Sequence, residues 1–317
     1  MKVSAFKIEV DGKILDYRLG SDLDLDEVRK YFEKKYEVER IYTGGRHVLG
    51  ELKQGGKKYF LKLATTEGIS ATAKVEYNWN SAFNKNLSRV RASFCVPKNC
   101  DSGFYKDKLF YLVTDRFEGR PLVNYTKTAI VSGNFAKSLD SVINFSEAIG
   151  GLNINGVQSF DNVDVSNYKE WFLNKTKSWL ASVPGIVSSQ YDLEKLLMIV
   201  DRGVSKLQVK PRHGDFTPWH LFALDSGKLG LIDGEHAKVD SVEGYDIGYF
   251  IQRVFSVVKN ARLAEQTFQK LIKRQYSVEK LRVILAARAI GGFLDESLVE
   301  NPNYLQAVKF RNWVVSL

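Results

Sequence analysis

Two aspartates stand close together in a stretch rich in histidine, glycine and apolar residues. Asp215 lies in the run R-H-G-D-F-T-P-W-H, which indicates a tight loop, and Asp233 follows 18 positions later in L-I-D-G-E, at the end of an apolar strand. Phosphoryl transfer requires a carboxylate that orients and deprotonates a hydroxyl, and hard oxygen ligands that hold metal on the phosphates. The pattern therefore predicts a phosphotransfer site, with Asp215 in the first role and Asp233 in the second.

These motifs resemble those of the aminoglycoside phosphotransferase and choline kinase family, the small-molecule relatives of protein kinases. The family's loop reads H-G-D-x-x-x-x-N and its metal motif I-D-[WF]-E or similar; here the loop ends at His220, and the metal motif is I-D-G-E. The resemblance implies that Asp215 is the catalytic base, that Asp233 binds the metal that bridges the phosphates, and that Glu235 supports a second ion or its water.

His220 is the position at which the chain departs from the family pattern. The family's Asn contributes an amide oxygen to the metal, and Mg²⁺ prefers oxygen, whereas imidazole suits zinc, manganese or iron better. His220 is therefore interpreted as a tolerated ligand, as a donor that braces the loop, or as a sign that transfer is lost.

Structural roles are the alternative for several of these residues. Asp215 could cap a turn and Asp233 could start a β-turn, because Asp forms local hydrogen bonds in such places. The resemblance implies that His213 braces the loop and does not react. Asp246 matches a family position that props the catalytic loop, and it could equally cap a helix.

A predicted three-strand meander starting at Val38 comes before these motifs. The glycines of T-G-G, residues 43–45, let backbone N–H groups approach a phosphate because no Cβ blocks the chain. Thr43, Gly44 and Gly45 are therefore predicted to cover the phosphates, with a plain Gly-Gly hairpin as the alternative.

The third strand of the meander carries a lysine inside an apolar run, Y-F-L-K-L. Such a lysine commonly extends its amine to solvent along the apolar surface. In the kinase scheme, however, it binds the α- and β-phosphates and is held by a glutamate on the following helix. Lys62 and Glu76 match these two positions and are the predicted nucleotide-binding pair.

A further apolar strand, residues 109–114, runs into D-R-F-E-G, which resembles the family's hinge. The resemblance implies that backbone groups near Thr114 and Arg116 meet the edge of the adenine. A simple connecting loop is the alternative, since its glycine and the following proline would suit one. After the hinge, the apolar spacing becomes helical and remains so to the end of the sequence.

The length of 317 residues allows about two compact units. The predicted division is an accessory hairpin and helix over residues 1–36, an N-terminal nucleotide-binding lobe over 37–116, and a C-terminal helical catalytic and substrate lobe over 117–317. The accessory segment is predicted from apolar alternation around D-G at residues 11–12 and from a capping-box-like pair, Asp24 and Glu27. The family resemblance does not clearly cover it.

The composition of the chain narrows the classes of partner that it is expected to bind. The formal charge of +9 can attract anionic ligands such as nucleotides, but no run of basic residues with interleaved aromatics predicts a nucleic-acid partner. Cys95 and Cys100 without further thiols or nearby histidines do not form a zinc motif, and no apolar segment has the length of a membrane span. The expected location is the cytoplasm, with no membrane partner, and the oligomeric state stays open.

The combined expectation is an α+β protein-kinase-like fold, with a small antiparallel sheet lobe, a larger mainly helical lobe, and ATP in the cleft between them. Mg²⁺ is the expected metal and Mn²⁺ the alternative. The predicted acceptor is a hydroxyl of a small metabolite such as a sugar or an amino alcohol. Aminoglycosides are less favoured, because a pocket for these polycations needs many carboxylates. Residues 117–317 are instead slightly basic, with 24 basic and 21 acidic side chains. The alternative function is a nucleotide-binding, pseudokinase-like protein with impaired catalysis.

Overall fold

The chain folds into a sheet lobe followed by a mainly helical lobe. The computed structural model describes residues 6–10, 12–86, 93–125, 129–133, 135–152 and 167–317. The first elements within these ranges are the strands β1 (Lys7–Val10) and β2 (Lys13–Asp16) and the helix α1 (Leu25–Glu33). The strands β1 and β2 pair antiparallel, which confirms the predicted hairpin, although Asp11 of its turn lies outside the described residues.

The sheet of the first lobe is antiparallel. Its strands are β3 (Glu37–Gly44), β4 (His47–Gln54), β5 (Lys57–Ala64), β7 (Asn99–Tyr105) and β8 (Leu109–Asp115), in the order β3-β4-β5-β8-β7. The pairings of β3 with β4 and of β4 with β5 confirm the predicted meander. Gly55 and Gly56 make the second turn with positive φ angles, as two-residue hairpin turns require.

Helices pack on the two faces of this sheet. Asp24 caps α1 by accepting hydrogen bonds from the next turn's backbone, and the helix packs Val28 and Phe32 onto the sheet. Helix α2 (Glu67–Lys85), capped by Thr66, follows β5 directly. Its Trp79 is fully buried and belongs to the core of the second lobe, so that α2 connects the two lobes through packing.

Short strands link the lobes and frame the predicted motifs. They are β6 (Phe94–Cys95), β9 (Gly119–Pro121), β10 (Val123–Tyr125), β11 (Ala129–Val131), β12 (Val209–Arg212), β13 (Leu221–Leu224), β14 (Leu229–Leu231) and β15 (Lys238–Val242). Strands β6, β14, β13 and β9 form one sheet in that order, and β12 pairs with β15. The two predicted motifs follow β12 and β14, so these strands determine where the aspartates lie.

The second lobe is built around helices. They are α3 (Phe135–Gly150), α4 (Tyr168–Ser182), α5 (Gly185–Gln190), α6 (Glu194–Gly203), α7 (Tyr245–Ser256), α8 (Ala261–Lys273), α9 (Val278–Ser297) and α10 (Leu305–Ser316). Helix α9 is buried along most of its length, as its apolar sequence indicates, and α4, α6, α7 and α10 pack around it. The α+β architecture predicted from the sequence is confirmed. None of the helices within the described residues is both long and apolar enough for a membrane crossing.

Candidate active site

Asp215 lies in a loop whose backbone is hydrogen-bonded to the side chain of Asp246. Asp246 is buried near the start of α7, and its carboxylate accepts hydrogen bonds from the backbone N–H groups of His213, at 2.7 Å, and Gly214, at 2.9 Å. Helix α7 has no side-chain cap bond, so these contacts favour the loop-propping role of Asp246 over capping. Burial raises the pKa of Asp246 to about 6, although the two N–H groups act to lower it.

Gly214 is required by the turn that presents Asp215. Its φ of +87° lies in the left-handed region, and a Cβ there would come within 2.1 Å of the His236 carbonyl oxygen. His213 is fully buried and packs edge-on against Trp79, with ring centroids 5.5 Å apart. Burial lowers the pKa of His213 to about 3, so the ring is neutral, and its role as a brace stays a prediction.

Asp233 follows β14 in a left-handed conformation with φ of 69°. Asp tolerates this region better than most residues because its short side chain bonds locally. The next residue, Gly234, leaves room for Trp79 of α2, since a Cβ would lie 2.3 Å from the indole Cδ1. The family motif has an aromatic residue at this position, whereas here the indole of Trp79 occupies the adjacent space.

Lys62 lies at the centre of a buried group of charges, the Lys62 cluster, which comprises Lys62, Glu76, Asp233, Glu235 and Arg46. Alternation along β5 turns Leu61 and Leu63 into the core and Lys62 towards the cleft. The Lys62 Nζ lies 2.7 Å from Glu76 Oε2 and 2.6 Å from Glu235 Oε1, and it also contacts Asp233 Oδ1. The structure thus brings together the predicted nucleotide-binding pair and the predicted metal ligand Asp233.

The pKa values within the Lys62 cluster are displaced in opposite directions. Burial alone would lower the pKa of Lys62, but Asp233, Glu235 and Glu76 raise it well above its usual value. Burial raises the pKa of Glu76 to about 7, although Lys62 opposes the shift. Burial also acts to raise the pKa of Asp233, but Lys62 outweighs it, and the net shift is downward. Lys62 therefore stays charged, and Glu76 is the carboxyl group that most readily takes up a proton.

Glu235 has cations on both of its oxygens. Its Oε1 lies 2.9 Å from His47 Nε2 in addition to the Lys62 contact, and its Oε2 contacts Arg46 Nη2. Arg46 and His47 lie in the β3–β4 hairpin. In the sequence, Arg46 is 189 residues from Glu235. These two partners of Glu235 were not predicted from the sequence, although they directly follow the T-G-G run. A metal role for Glu235 stays a prediction, since its observed partners are basic groups.

His220 lies between the two aspartates. The backbone N–H of Ile232 donates to the His220 carbonyl at 3.1 Å, which fixes the loop beside the end of β14. The imidazole Nδ1 lies 3.1 Å from the Asp215 carbonyl oxygen, and Nε2 lies 3.5 Å from Asp233 Oδ2. If Nδ1 carries the proton, Nε2 presents a lone pair towards Asp233.

The donor set of Asp215, His220 and Asp233 fits a divalent metal. One ligand atom from each lies within 4.8 Å of the others, and oxygen with imidazole donors suits Mn²⁺ as well as Mg²⁺. Glu76, Asp233 and Glu235 form a second such set, but Lys62 already contacts all three carboxylates. The first set is therefore the better candidate metal site.

The remaining predicted nucleotide contacts lie at the rim of the cleft. Thr43 and Gly45 are exposed at the end of the β3–β4 hairpin, where Gly44 pairs with His47. Thr114 is buried at the end of β8, and the exposed Arg116 forms an ion pair with Glu51 at 2.6 Å. The hairpin and the hinge thus flank the Lys62 cluster, and their contacts with a nucleotide stay predictions.

A cavity of about 540 Å³ lies beside Asp215 and also reaches Arg46 and Glu235 of the Lys62 cluster; we call it the aromatic cavity. Its wall includes aromatic residues of α4 and α7 and residues of the β1–β2 hairpin. The hairpin reaches this position because Tyr17 packs edge-on against His236, with ring centroids 5.7 Å apart. Arg212, directly before the H-G-D motif, and Arg288 of α9 also line the cavity, and neither was identified from the sequence.

Solved structures with the same architecture are aminoglycoside phosphotransferases. The crystal structure of aminoglycoside phosphotransferase APH(4)-Ia superimposes with a TM-score of 0.67 and 15% identity, covering 92% of this chain and 97% of that chain. This chain has the aminoglycoside phosphotransferase fold. A thermostable mutant of the same enzyme, in ternary complex with ADP and hygromycin B, gives 0.67 and 14%, covering 92% and 96%. A mutant aminoglycoside 2'-phosphotransferase-IIIa in complex with GDP gives 0.59 and 11%, covering 92% and 98%.

The likeness to aminoglycoside phosphotransferases is seen in the superposed structures and in the two short motifs, but not in comparisons of the whole sequence. No protein-family model matches the sequence, and no curated protein matches it either. At these identities the likeness establishes the fold, and it confirms the kinase-like, two-lobe arrangement expected from the H-G-D and I-D-G-E motifs.

Proposed function

We propose that this protein is an ATP-dependent phosphotransferase that moves the γ-phosphoryl group to a hydroxyl of a small molecule. The observation that carries the proposal is the placement of Asp215 and Asp233 on either side of His220, with the Lys62–Glu76 pair beside Asp233. A positioned base, a metal site and a phosphate-binding cation are the parts that phosphoryl transfer needs. The complexes of APH(4)-Ia with ADP or AMP-PNP and hygromycin B support the same division into nucleotide and acceptor.

In the proposed reaction, Asp215 aligns the acceptor hydroxyl and accepts its proton. The hydroxyl oxygen bonds to the γ-phosphorus while the bond from that phosphorus to the β–γ bridging oxygen breaks, and ADP leaves. Lys62 holds the α- and β-phosphates, and Asp233 with His220 would hold the metal. When bound, the metal neutralises charge on the phosphates. Positioning and charge neutralisation provide most of the rate.

The nucleotide half of the proposal is tested by calorimetric titration with AMP-PNP and Mg²⁺. We expect Lys62→Ala and Asp233→Ala to weaken binding strongly. Lys53→Ala is the matched control, because Lys53 lies on the neighbouring strand β4 and its amine pairs with Glu39 away from the cleft. Unchanged affinity in both cleft variants would contradict the proposal.

The transfer half is tested by following ADP release with a panel of hydroxyl metabolites, with ATP and GTP as donors. Release that depends on both the acceptor and Asp215 is the expected result. Nucleotide binding without transfer to any acceptor and without slow ATP hydrolysis would instead support the non-catalytic alternative.

A further inference from the structure

Arg212 and Arg288 are buried cations at the wall of the aromatic cavity. Arg212 is 9% exposed and Arg288 is 5% exposed. No carboxylate among the described residues forms an ion pair with either guanidinium, and the Nε of each is buried without a hydrogen-bond partner there. Buried arginines are ordinarily paired, because removing an ion from water costs several kcal/mol.

Aromatic rings surround both guanidiniums. The Arg212 Cζ lies 4.1 Å from the ring centroid of Tyr245 and 4.8 Å from that of Trp171. The Arg288 Cζ lies 3.8 Å from the ring centroid of Tyr249, and its Nη1 donates to the Tyr245 hydroxyl at 3.2 Å. Such cation–π contacts contribute about 0.5–2 kcal/mol each, which offsets only part of the desolvation of a buried guanidinium. The rings hold the two guanidiniums in place and leave donors free for an anion.

Among the described residues, two acidic side chains that line the same cavity are already engaged by cations. Asp295 pairs with Arg253 at 2.7 Å, and Glu235 contacts Arg46, Lys62 and His47. Glu9 is exposed on the β1–β2 hairpin. A cationic acceptor would therefore meet Asp215 and a surplus of positive charge, whereas an anionic acceptor would find two planar donor groups that suit carboxylate or phosphate.

A third cation adds to this potential. Lys175 of α4 lines the aromatic cavity, and burial, with a smaller contribution from Arg212, lowers its pKa to about 8. A lowered lysine pKa is the expected response of an amine that is buried and lies near another cation. The volume of about 540 Å³ is sufficient for a compound of metabolite size.

We propose that the phosphoryl acceptor is a hydroxyl compound with an anionic group, a carboxylate or a phosphate, which binds Arg212 and Arg288 while its hydroxyl lies at Asp215. The proposal rests on the phosphotransferase function for the role of Asp215, but the anion site itself does not depend on that function. It disfavours amino alcohols and aminoglycosides, whose ammonium groups would lie beside these arginines.

The test uses probes with one carbon skeleton and different charges: glucose, glucosamine, gluconate and glucose 6-phosphate, together with inorganic phosphate. Binding to the full chain is measured by calorimetry with AMP-PNP and Mg²⁺ present, so that phosphate does not occupy the nucleotide site. We expect gluconate or glucose 6-phosphate to bind at least about tenfold more tightly than glucose and glucosamine. Gluconate tests recognition of a carboxylate, whereas glucose 6-phosphate and inorganic phosphate test recognition of a phosphate.

Variants assign the binding to the arginines. Arg288→Met keeps the side-chain volume and should weaken anion binding by about tenfold or more, since a charge-assisted hydrogen bond is lost. Arg288→Lys, which keeps the charge but not the planar fork, should give an intermediate loss. Arg282→Met is the matched control on the same helix, because Arg282 donates to the Val314 and Val315 carbonyls elsewhere.

Several results would overturn the inference. Glucose or glucosamine could bind as tightly as the anions, no anion could bind, or anion binding could persist unchanged in Arg288→Met. Failure of the proposed function has a different signature, since wild-type protein would then either not bind AMP-PNP or bind it without transferring phosphate from ATP to any acceptor. In that case the titrations without nucleotide still measure the arginine site.

Discussion

The Lys62 cluster and the aromatic cavity both bury charge beside Asp215, but they compensate it differently. In the Lys62 cluster each cation contacts a carboxylate, and the carboxylates hold Lys62 in a fixed position. In the aromatic cavity, Arg212 and Arg288 have aromatic neighbours and no carboxylate partner among the described residues. A group of side chains whose charges neutralise one another suits a ligand that brings its own counter-ion, such as a metal-bound nucleotide. An uncompensated pair suits a ligand that brings net negative charge.

Asp215 lies where the two regions meet, and its replacement should have the largest effect. Asp215→Asn keeps the shape of the side chain but cannot accept the hydroxyl proton, so transfer should fall by about 10²–10⁴-fold. Affinity for AMP-PNP should stay close to wild type, because Lys62, Asp233 and His220 are retained. Affinity for an anionic acceptor should not fall, because the cavity loses a negative charge and keeps both arginines. Single-turnover kinetics and calorimetry measure the two effects separately. A loss of nucleotide affinity as large as the loss of rate would place Asp215 in the nucleotide site instead.

The difference in compensation predicts that the loss of a cation destabilises the fold much more in the Lys62 cluster than in the aromatic cavity. Lys62→Met leaves three buried carboxylates without their common partner, and removing one member of a buried pair costs about 3–5 kcal/mol. Arg288→Met removes a cation that has no carboxylate partner among the described residues, so the free energy of unfolding should change by less than about 1 kcal/mol.

Urea denaturation of both variants, without ligand, measures this contrast. Lys53→Met and Arg282→Met are the controls for loss of charge outside the cleft. Equal destabilisation by Lys62→Met and Arg288→Met would mean that the charge of Arg288 is compensated in the free protein, as that of Lys62 is.

The sequence predicts the Lys62 cluster far better than the aromatic cavity, for a physical reason. Asp215, Asp233 and Lys62 each lie next to a turn or within a strand whose pattern is local, so spacing alone indicates their roles. Arg288 lies in α9, which is buried along most of its length, so that its surroundings resemble core. Its role depends on α4 and α7, which only tertiary packing brings to it. The same holds for Arg46, which contacts Glu235 across 189 residues.

Protonation of Glu76 provides a pH-dependent test of the Lys62 cluster. The pKa of Glu76 is about 7 in the folded protein against a usual value of 4.5, so between these pH values the folded state binds a proton that the unfolded state has released. The stabilisation of the fold by this group is therefore lost as pH rises from about 4.5 to about 7. Glu76→Gln should gain stability relative to wild type over that window.

The difference in the free energy of unfolding between wild type and Glu76→Gln reports on Glu76, because the carboxyl groups with lowered pKa values are present in both proteins. Free energies of unfolding are measured at intervals across the window, and the relative gain amounts to a few kcal/mol at most. A difference that is constant with pH would show that Glu76 is charged throughout and that the cluster carries more negative charge than the structure indicates.

His220 should produce the smallest effect, because it modifies the metal site without adding or removing a buried charge pair. Its Nδ1 lies 3.1 Å from the Asp215 carbonyl oxygen, so donation there leaves Nε2 free to bind a metal beside Asp233. Imidazole favours Mn²⁺ over Mg²⁺ relative to an amide oxygen, and His220→Asn should therefore shift the Mn²⁺ to Mg²⁺ activity ratio towards Mg²⁺ by a few-fold.

His220→Leu separates ligation from bracing. If His220 binds the metal, the Leu variant should require more of either metal for half-maximal rate, while its affinity for an anionic acceptor stays unchanged. Rates measured over a range of both metal concentrations test this. Identical metal ratios in wild type and His220→Asn, with reduced maximal rate in His220→Leu, would instead assign His220 to bracing the Asp215 loop. The metal would then rest on the carboxylates, and neither the Lys62 cluster nor the aromatic cavity would involve the imidazole.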